Sequence, residues 1–280
     1  MKNILRALLA TATAVAGLAA QAADGIAFIT NIKGEVTVDG ASRPTLLGEL
    51  ARGQKVVVGK EAQLSVMYIQ SGKEYLLKGP GDYEVGERGI SSGSGVPPAA
   101  RETPWRASNQ VLVKVAQTSA ASIRMRSMAP VRTDTKPRLE FPVRSAVATL
   151  QPTLRWTMPE AKSKAEVAIA IAGKEDSPIA RASVSGSSHR FPAKLQPDTE
   201  YSWVVSVAGQ EIGSARFRTL PASAIQTAEK RRPGEKAEFS DRLLYALLLQ
   251  EIGAAQEAQE AWARLARERA DLPELASLAK

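Results

Sequence analysis

Few side chains in this sequence could take part in a reaction. His189 is its single histidine, and cysteine is absent. The first fact restricts proton transfer near neutral pH to one imidazole. The second removes thiol nucleophiles, zinc–thiolate sites, disulfides and lipid anchoring through a Cys. His189 lies in Gly186-Ser187-Ser188-His189-Arg190, a turn or strand edge, with no G-x-S-x-G elbow to present a serine. It reads as a surface or structural residue. Gly79-Pro80-Gly81 and Gly93-Ser94-Gly95 lack the Lys and following helix that a phosphate loop requires. No Asp/Glu cluster among the 29 acidic residues stands beside aromatic platforms of the kind that seat sugars. These residues point to no metal, no cofactor and no catalysis. The expectation is a binding or scaffold protein, with an enzyme acting on cell-wall polymer kept as an alternative.

The elements that would position a binding surface begin behind an export signal. Lys2 and Arg6 precede the apolar run Ala7 to Ala20, which ends in Ala20-Gln21-Ala22. That is the order of a secretory signal peptide over 1–22, cleaved after Ala22 or Ala23. The run is shorter than the roughly 20 residues a membrane span needs. The expectation is a periplasmic protein with no transmembrane span in the mature chain and no nucleic-acid partner. The formal charge is +8, and from Arg101 to Arg144 nine basic residues stand against three acidic ones. The basic excess therefore concentrates in one stretch. It reads as a solvated linker, or as a surface drawn to anionic head groups, phosphorylated glycans or an acidic partner.

From Gly25 to Val85 short apolar runs alternate at period two and are separated by Gly-rich turns. Val36 and Val38 share a face, and Asp39-Gly40 is a hairpin signal because both residues tolerate positive φ. Val56 to Val58, Leu64 to Tyr68, Tyr75 to Leu77 and Tyr83 to Val85 supply further strands. The pattern resembles the FecR domain, a β module of bacterial envelope proteins. Gly34-Glu35-Val36, Leu50-Ala51-Arg52-Gly53-Gln54 before Val56, and the Leu64–Ile69 strand with Gly72 and Leu76-Leu77 carry the resemblance. It implies a β domain over 24–90 outside the inner membrane, a location from which such domains relay receptor signals to a cytoplasmic sigma factor. A signalling regulator reading an outer-membrane receptor is thus a second alternative.

Ser91 to Pro98 is Ser-, Gly- and Pro-rich, so 91–140 reads as a linker. Within it Val111, Leu112, Val115 and Ala116 recur at helical spacing and predict a helix over 107–121, with a strand as the other reading. Arg124 and Arg126 follow, as an anion clamp or as the solvated face of a strand. From 141 to 220 the period returns to two, at Leu154 and Trp156, Val167 to Ile171, and Tyr201 to Val207. Leu195-Gln196-Pro197-Asp198-Thr199-Glu200-Tyr201 resembles the tyrosine corner of fibronectin type III and immunoglobulin-like sandwiches, whose Tyr hydroxyl meets a nearby backbone group. Trp156 resembles the buried Trp of an early strand there, and Phe217-Arg218-Thr219 the final strand.

Residues 221–238 read as a second linker and 239–280 as a helical hairpin. Ser240 could cap its first helix, Asp241 complements the dipole, Leu243, Leu244, Leu247 and Leu248 form a stripe, and Gly253 marks the stop. Ala246, Leu249, Gly253, Ala258, Trp262 and Leu265 fall at spacings that resemble one tetratricopeptide-like unit. A single unit leaves an apolar face open. That face must meet the sandwich, a second copy of the hairpin in a homodimer, or a partner. The fold class expected is mainly β and multidomain, α+β overall. The function expected is noncatalytic engagement of an envelope protein or a peptidoglycan-type glycan, with Leu244, Leu248, Trp262, Arg124 and Arg126 as contact residues.

Overall fold

The structure, a computed structural model, describes residues 25–40, 43–105, 112, 137–158 and 164–279. It is β-rich with a helical end. Nine strands build the first unit: β1 (Ala27–Lys33), β2 (Val36–Val38), β3 (Glu49–Leu50), β4 (Lys55–Val58), β5 (Gln63–Tyr68), β6 (Lys73–Lys78), β7 (Gly81–Val85), β8 (Ile90–Ser94) and β9 (Ala99–Glu102). They form two sheets, ordered β3-β1-β5-β6-β9 and β2-β4-β7-β8. Val56, Val58, Tyr83 and Val85 alternate inward with exposed neighbours and meet Ile29, Leu64, Val66 and Leu77 between the sheets.

β1 and β5 are buried on both faces. Ala27, Ile29 and Ile32 enter the inter-sheet core, while Phe28 enters a second cluster on the opposite face. Leu64 and Val66 split from Met67 in the same way. This explains the unbroken apolar run at the start of β1, because a strand covered on both sides has no polar face to show.

The Asp39-Gly40 turn forms with φ of 52° and 70°. It does not close a hairpin, however. β2 pairs with β4, and Asp39 Oδ1 accepts the Lys55 backbone N–H at 2.8 Å. Two further differences concern linkers. The stretch expected to begin a linker at residue 91 carries β8 and β9, paired to β7 and β6, and the following Trp105 is buried. An edge strand asks little of its side chains, so Ser and Gly there gave no strand signal. Of the helix expected over 107–121 only Leu112 is described, and it is fully buried.

The second unit holds β10 (Arg138–Phe141), β11 (Ala146–Val147), β12 (Leu154–Thr157), β13 (Lys164–Ile171), β14 (Ala180–Ser185), β15 (Ser188–His189), β16 (Glu200–Val207) and β17 (Gln210–Thr219). A three-stranded sheet, β10-β12-β15, faces a five-stranded one, β11-β17-β16-β13-β14. Trp156 and Trp203 meet between them with ring centroids 6.4 Å apart. The Trp203 indole N–H donates to the Pro142 carbonyl at 2.8 Å. Tyr201 makes the corner that its sequence suggested, its hydroxyl accepting the Gln196 backbone N–H at 2.8 Å while its ring stacks on Phe217.

Four helices follow: α1 (Ala222–Arg231), α2 (Phe239–Glu251), α3 (Ala255–Glu268) and α4 (Pro273–Leu278). α1 occupies the stretch read as a linker, because Ile225 and Ala228 sit one turn apart and both are buried. Gly253 adopts φ 86° and ends α2, with the Ala254 N–H returning to the Leu249 carbonyl at 2.8 Å. None of these helices is long and apolar enough to cross a membrane.

Tyr201→Phe removes the acceptor for a half-buried backbone N–H and leaves the ring in place. Urea denaturation should show a loss of about 1–2 kcal/mol.

Candidate binding face and the helical joint

The helices are wedged between the two β units. Their shared cluster takes Phe28, Leu46, Leu47, Met67 and Trp105 from the first unit and Ala148 and Leu220 from the second. Leu244 and Leu248 of α2 are 0% exposed and Trp262 of α3 is 1% exposed. This corrects the expectation that these three contact a partner: they are the interior of the joint. The face that a single hairpin leaves open is covered here by the chain's own β units. Arg124 and Arg126 lie outside the described residues.

Polar side chains set the register of the wedge on both sides. Toward the first unit, Arg101 on β9 stands directly across from Glu74 on β6. Its guanidinium pairs with Glu74 and with Asp241 of α2, the latter at 2.7 Å. Ser240 donates its hydroxyl proton to Glu74 at 2.9 Å, and Thr30 donates to the other Glu74 oxygen at 2.6 Å. Ser240 therefore does not cap α2, whose N-cap position is Glu238 without a side-chain bond. Two carboxylates around one guanidinium hold its proton more firmly than usual, against the opposing pull of burial. Arg269, past the end of α3, donates to the Asn31 side chain and the Ile32 carbonyl.

Toward the second unit, the first turn of α3 reads backbone. Gln256 accepts the Val143 N–H at 2.7 Å and donates to the Glu140 carbonyl at 3.0 Å. Glu257 accepts the Ala148 N–H at 2.6 Å. Arg155 of β12 pairs with Glu260. Burial raises the Glu257 carboxyl above its ordinary range, and the Ala148 N–H and Arg232 only partly offset this.

With the helices enclosed, a groove of about 1170 Å³ lies open on the outer face of the five-stranded sheet. Its floor is short. Ala168 and Ala170 on β13 stand opposite Val204 and Ser202 on β16, and Ser214 of β17 completes the row. The rim is long and charged: Arg144, Arg216 and Arg218 along β11 and β17, with Glu175, Glu200 and Glu211. Arg216 meets Glu175 at 3.2 Å, and Arg218 meets Asp198 at 2.7 Å. Both pairs are exposed, so each is worth little and opens at small cost. The Gly173 backbone N–H first, and Arg216 less strongly, keep the Glu175 carboxyl below its usual range. That residue is thus ionised and unsuited to act as an acid.

His189 is remote from this groove, on β15 of the other sheet, with its ring edge-on to Phe191 at 4.5 Å. No group of three or more metal-ligating side chains occurs among the described residues. The groove was not foreseen from the sequence. Its floor is Ala, Ser and Val, residue types with no motif of their own, and only the sheet register lines them up. No family model and no curated protein matches the chain.

Two outcomes are expected. Arg101→Ala leaves Glu74 buried without its cation and should cost about 3 kcal/mol, with amide exchange rising first in α2. For Glu257 the raised carboxyl means that the folded state holds its proton more tightly than the unfolded one. This contribution is fully present below the ordinary value of 4.5 and is lost as pH rises from there through the folded value. Glu257→Gln should therefore flatten the stability profile over that window and gain relative to wild type toward neutral pH, as read by thermal melts across pH.

Proposed function

We propose that this is an exported, noncatalytic envelope protein that binds an extended segment of another envelope protein along the sandwich groove. The first unit is read as FecR-like, the second as a fibronectin III-like sandwich, and the helical end as a tetratricopeptide-like hairpin serving as a joint. The observation that carries the reading is the enclosure of the helical stripe. With Leu244, Leu248 and Trp262 consumed internally, the small-floored sheet face is an open concave surface that can take a partner.

A polypeptide suits that face better than a glycan. All four Trp are no more than 1% exposed, so none is available as a sugar platform. The rings of Trp203 and Phe217 belong to the core beneath the groove. The groove exceeds the volume of a usual small-molecule pocket and is open along its length, which fits a chain crossing the strands. Arg144, Arg216 and Arg218 offer planar donors for carboxylates on that chain.

The test places a photo-crosslinking residue at Ser202 or Val204 on the floor, and at Glu84 on the first unit as control. In envelopes of cells exporting the full chain, discrete protein adducts are expected from the floor sites, weakened by Arg216→Glu with Arg218→Glu. Equal adducts from Glu84, or none from the floor, would overturn the reading. The mature N-terminus is expected near Ala23 by mass spectrometry.

A further inference from the structure

Each sheet has two outer strands, and among the described residues all but one are guarded against pairing. β3, β11 and β15 are two residues long and β2 is three. β8 and β10 break register against their neighbours, and β10 also carries Arg138 and Glu140. β9 carries Arg101 and Glu102, the first already held by the joint. Short length, bulges and charge are the usual protections of an edge. β14 is neither short nor bulged, and it is only lightly charged. It is six residues long, pairs with β13 without a break from Lys164↔Ser185 to Ile169↔Ala180, and bears a single charge, Arg181.

Its inner face is also unfinished. Ala180, Ala182 and Val184 point toward the core yet stay partly exposed. Five strands on this side face three on the other, where β15 has only two residues, and β14 is an outer strand of the larger sheet. Ile179, 51% exposed and adjoining this strand, is one of three large exposed apolar residues on the described surface.

We propose that β14 is a self-association edge, pairing antiparallel with β14 of a second copy of this chain to join the two five-stranded sheets into one. The strand's own pattern selects this occupant and its register. Directly opposed residues share a face, so even-numbered residues must meet even-numbered ones. A two-fold axis at Arg181 sets Arg against Arg and is disfavoured, and one at Ser183 sets Ala180 against Gly186, beyond the end of the strand. An axis at Ala182 sets Ala180 against Val184, Ala182 against itself, Arg181 against Ser183, and Ile179 against Ser185. It buries the partly exposed apolar residues of both copies and opposes no like charges. This is an isologous contact that closes at two. It also brings the two grooves side by side on one continuous face.

The chain has no cysteine, so engineered ones report without background. In the full exported chain, Ala182→Cys should give a disulfide-linked dimer under mild oxidation, since directly opposed residues lie within disulfide reach. Ser206→Cys, near the middle of the same sheet, should not. Sedimentation should show mass doubling with concentration for wild type. Ser183 is exposed and faces Arg181 of the other copy in this register. Ser183→Glu should tighten association severalfold and Ser183→Lys should weaken it severalfold, with unchanged melting of the fold. Four results would overturn the proposal: a monomer at every concentration, equal association of the two Ser183 variants, crosslinking from Ser206→Cys, or capture of a strand from another protein without self-association.

Discussion

A lone helical hairpin cannot bury its own apolar stripe, and the arrangement of this molecule follows from how that stripe is covered. α2 offers Leu243, Leu244, Leu247 and Leu248 on one side and meets α3 through Ala246, Ala258 and Trp262. At about 25 cal/mol per Å² of apolar area, leaving such residues wet would cost the fold several kcal/mol. Repeat arrays solve this by adding units. Here two sheets take the place of further repeats: Phe28, Met67 and Trp105 close one side, and Ala148 and Leu220 another. The helices thereby stop being an appendage and become the element against which both β units are positioned.

Apolar burial alone would leave the angles loose, since such contacts are non-directional. The polar groups around the wedge supply direction. Glu74 is 6% exposed, and Arg101, Ser240 and Thr30 satisfy its carboxylate oxygens there. Each of these comes from a different element, so a shift of α2 would strand a buried carboxylate. On the other side, Gln256 and Glu257 bond to the backbone of the β10–β11 segment. Backbone groups are present whatever the neighbouring side chains are. This grip therefore fixes position without demanding a particular sequence from the strand.

Much of the strand pattern was legible because alternation is local. Leu64, Val66 and Tyr68 in the first unit, and Tyr201 to Val207 in the second, could be placed facing a core before any partner was known. The tyrosine corner was legible for the same reason, since Gln196 and Tyr201 are close in sequence. The misreadings share a different cause. Ser240 has the type and place of a cap, yet its hydroxyl belongs to Glu74, far away along the chain. Leu243, Leu244, Leu247 and Leu248 were correctly read as an apolar stripe, but nothing nearby in sequence reveals that Phe28 and Met67 lie in their cluster. The second apolar face of β1 did carry that information. Its unbroken run required cover on both sides, and the helices are that cover.

The demand for internal cover also shapes the surface that remains open. Residues that carry recognisable signals — aromatics, leucines, paired charges — have been drawn into cores and joints. Those left on the open sheet are Ala, Ser and Val with an arginine rim, a set without a local signature. Such a floor is suited to contact with backbone, because short side chains let another chain approach closely and leave the long rim residues to select its charges. In the proposed reading, a joint that holds this face at a fixed angle leaves it little further freedom to lose on docking. Rigidity of the wedge and shallowness of the groove are thus complementary. A shallow face offers few deep anchors, and pre-organisation of the sheet that carries it offsets part of what those anchors would otherwise supply.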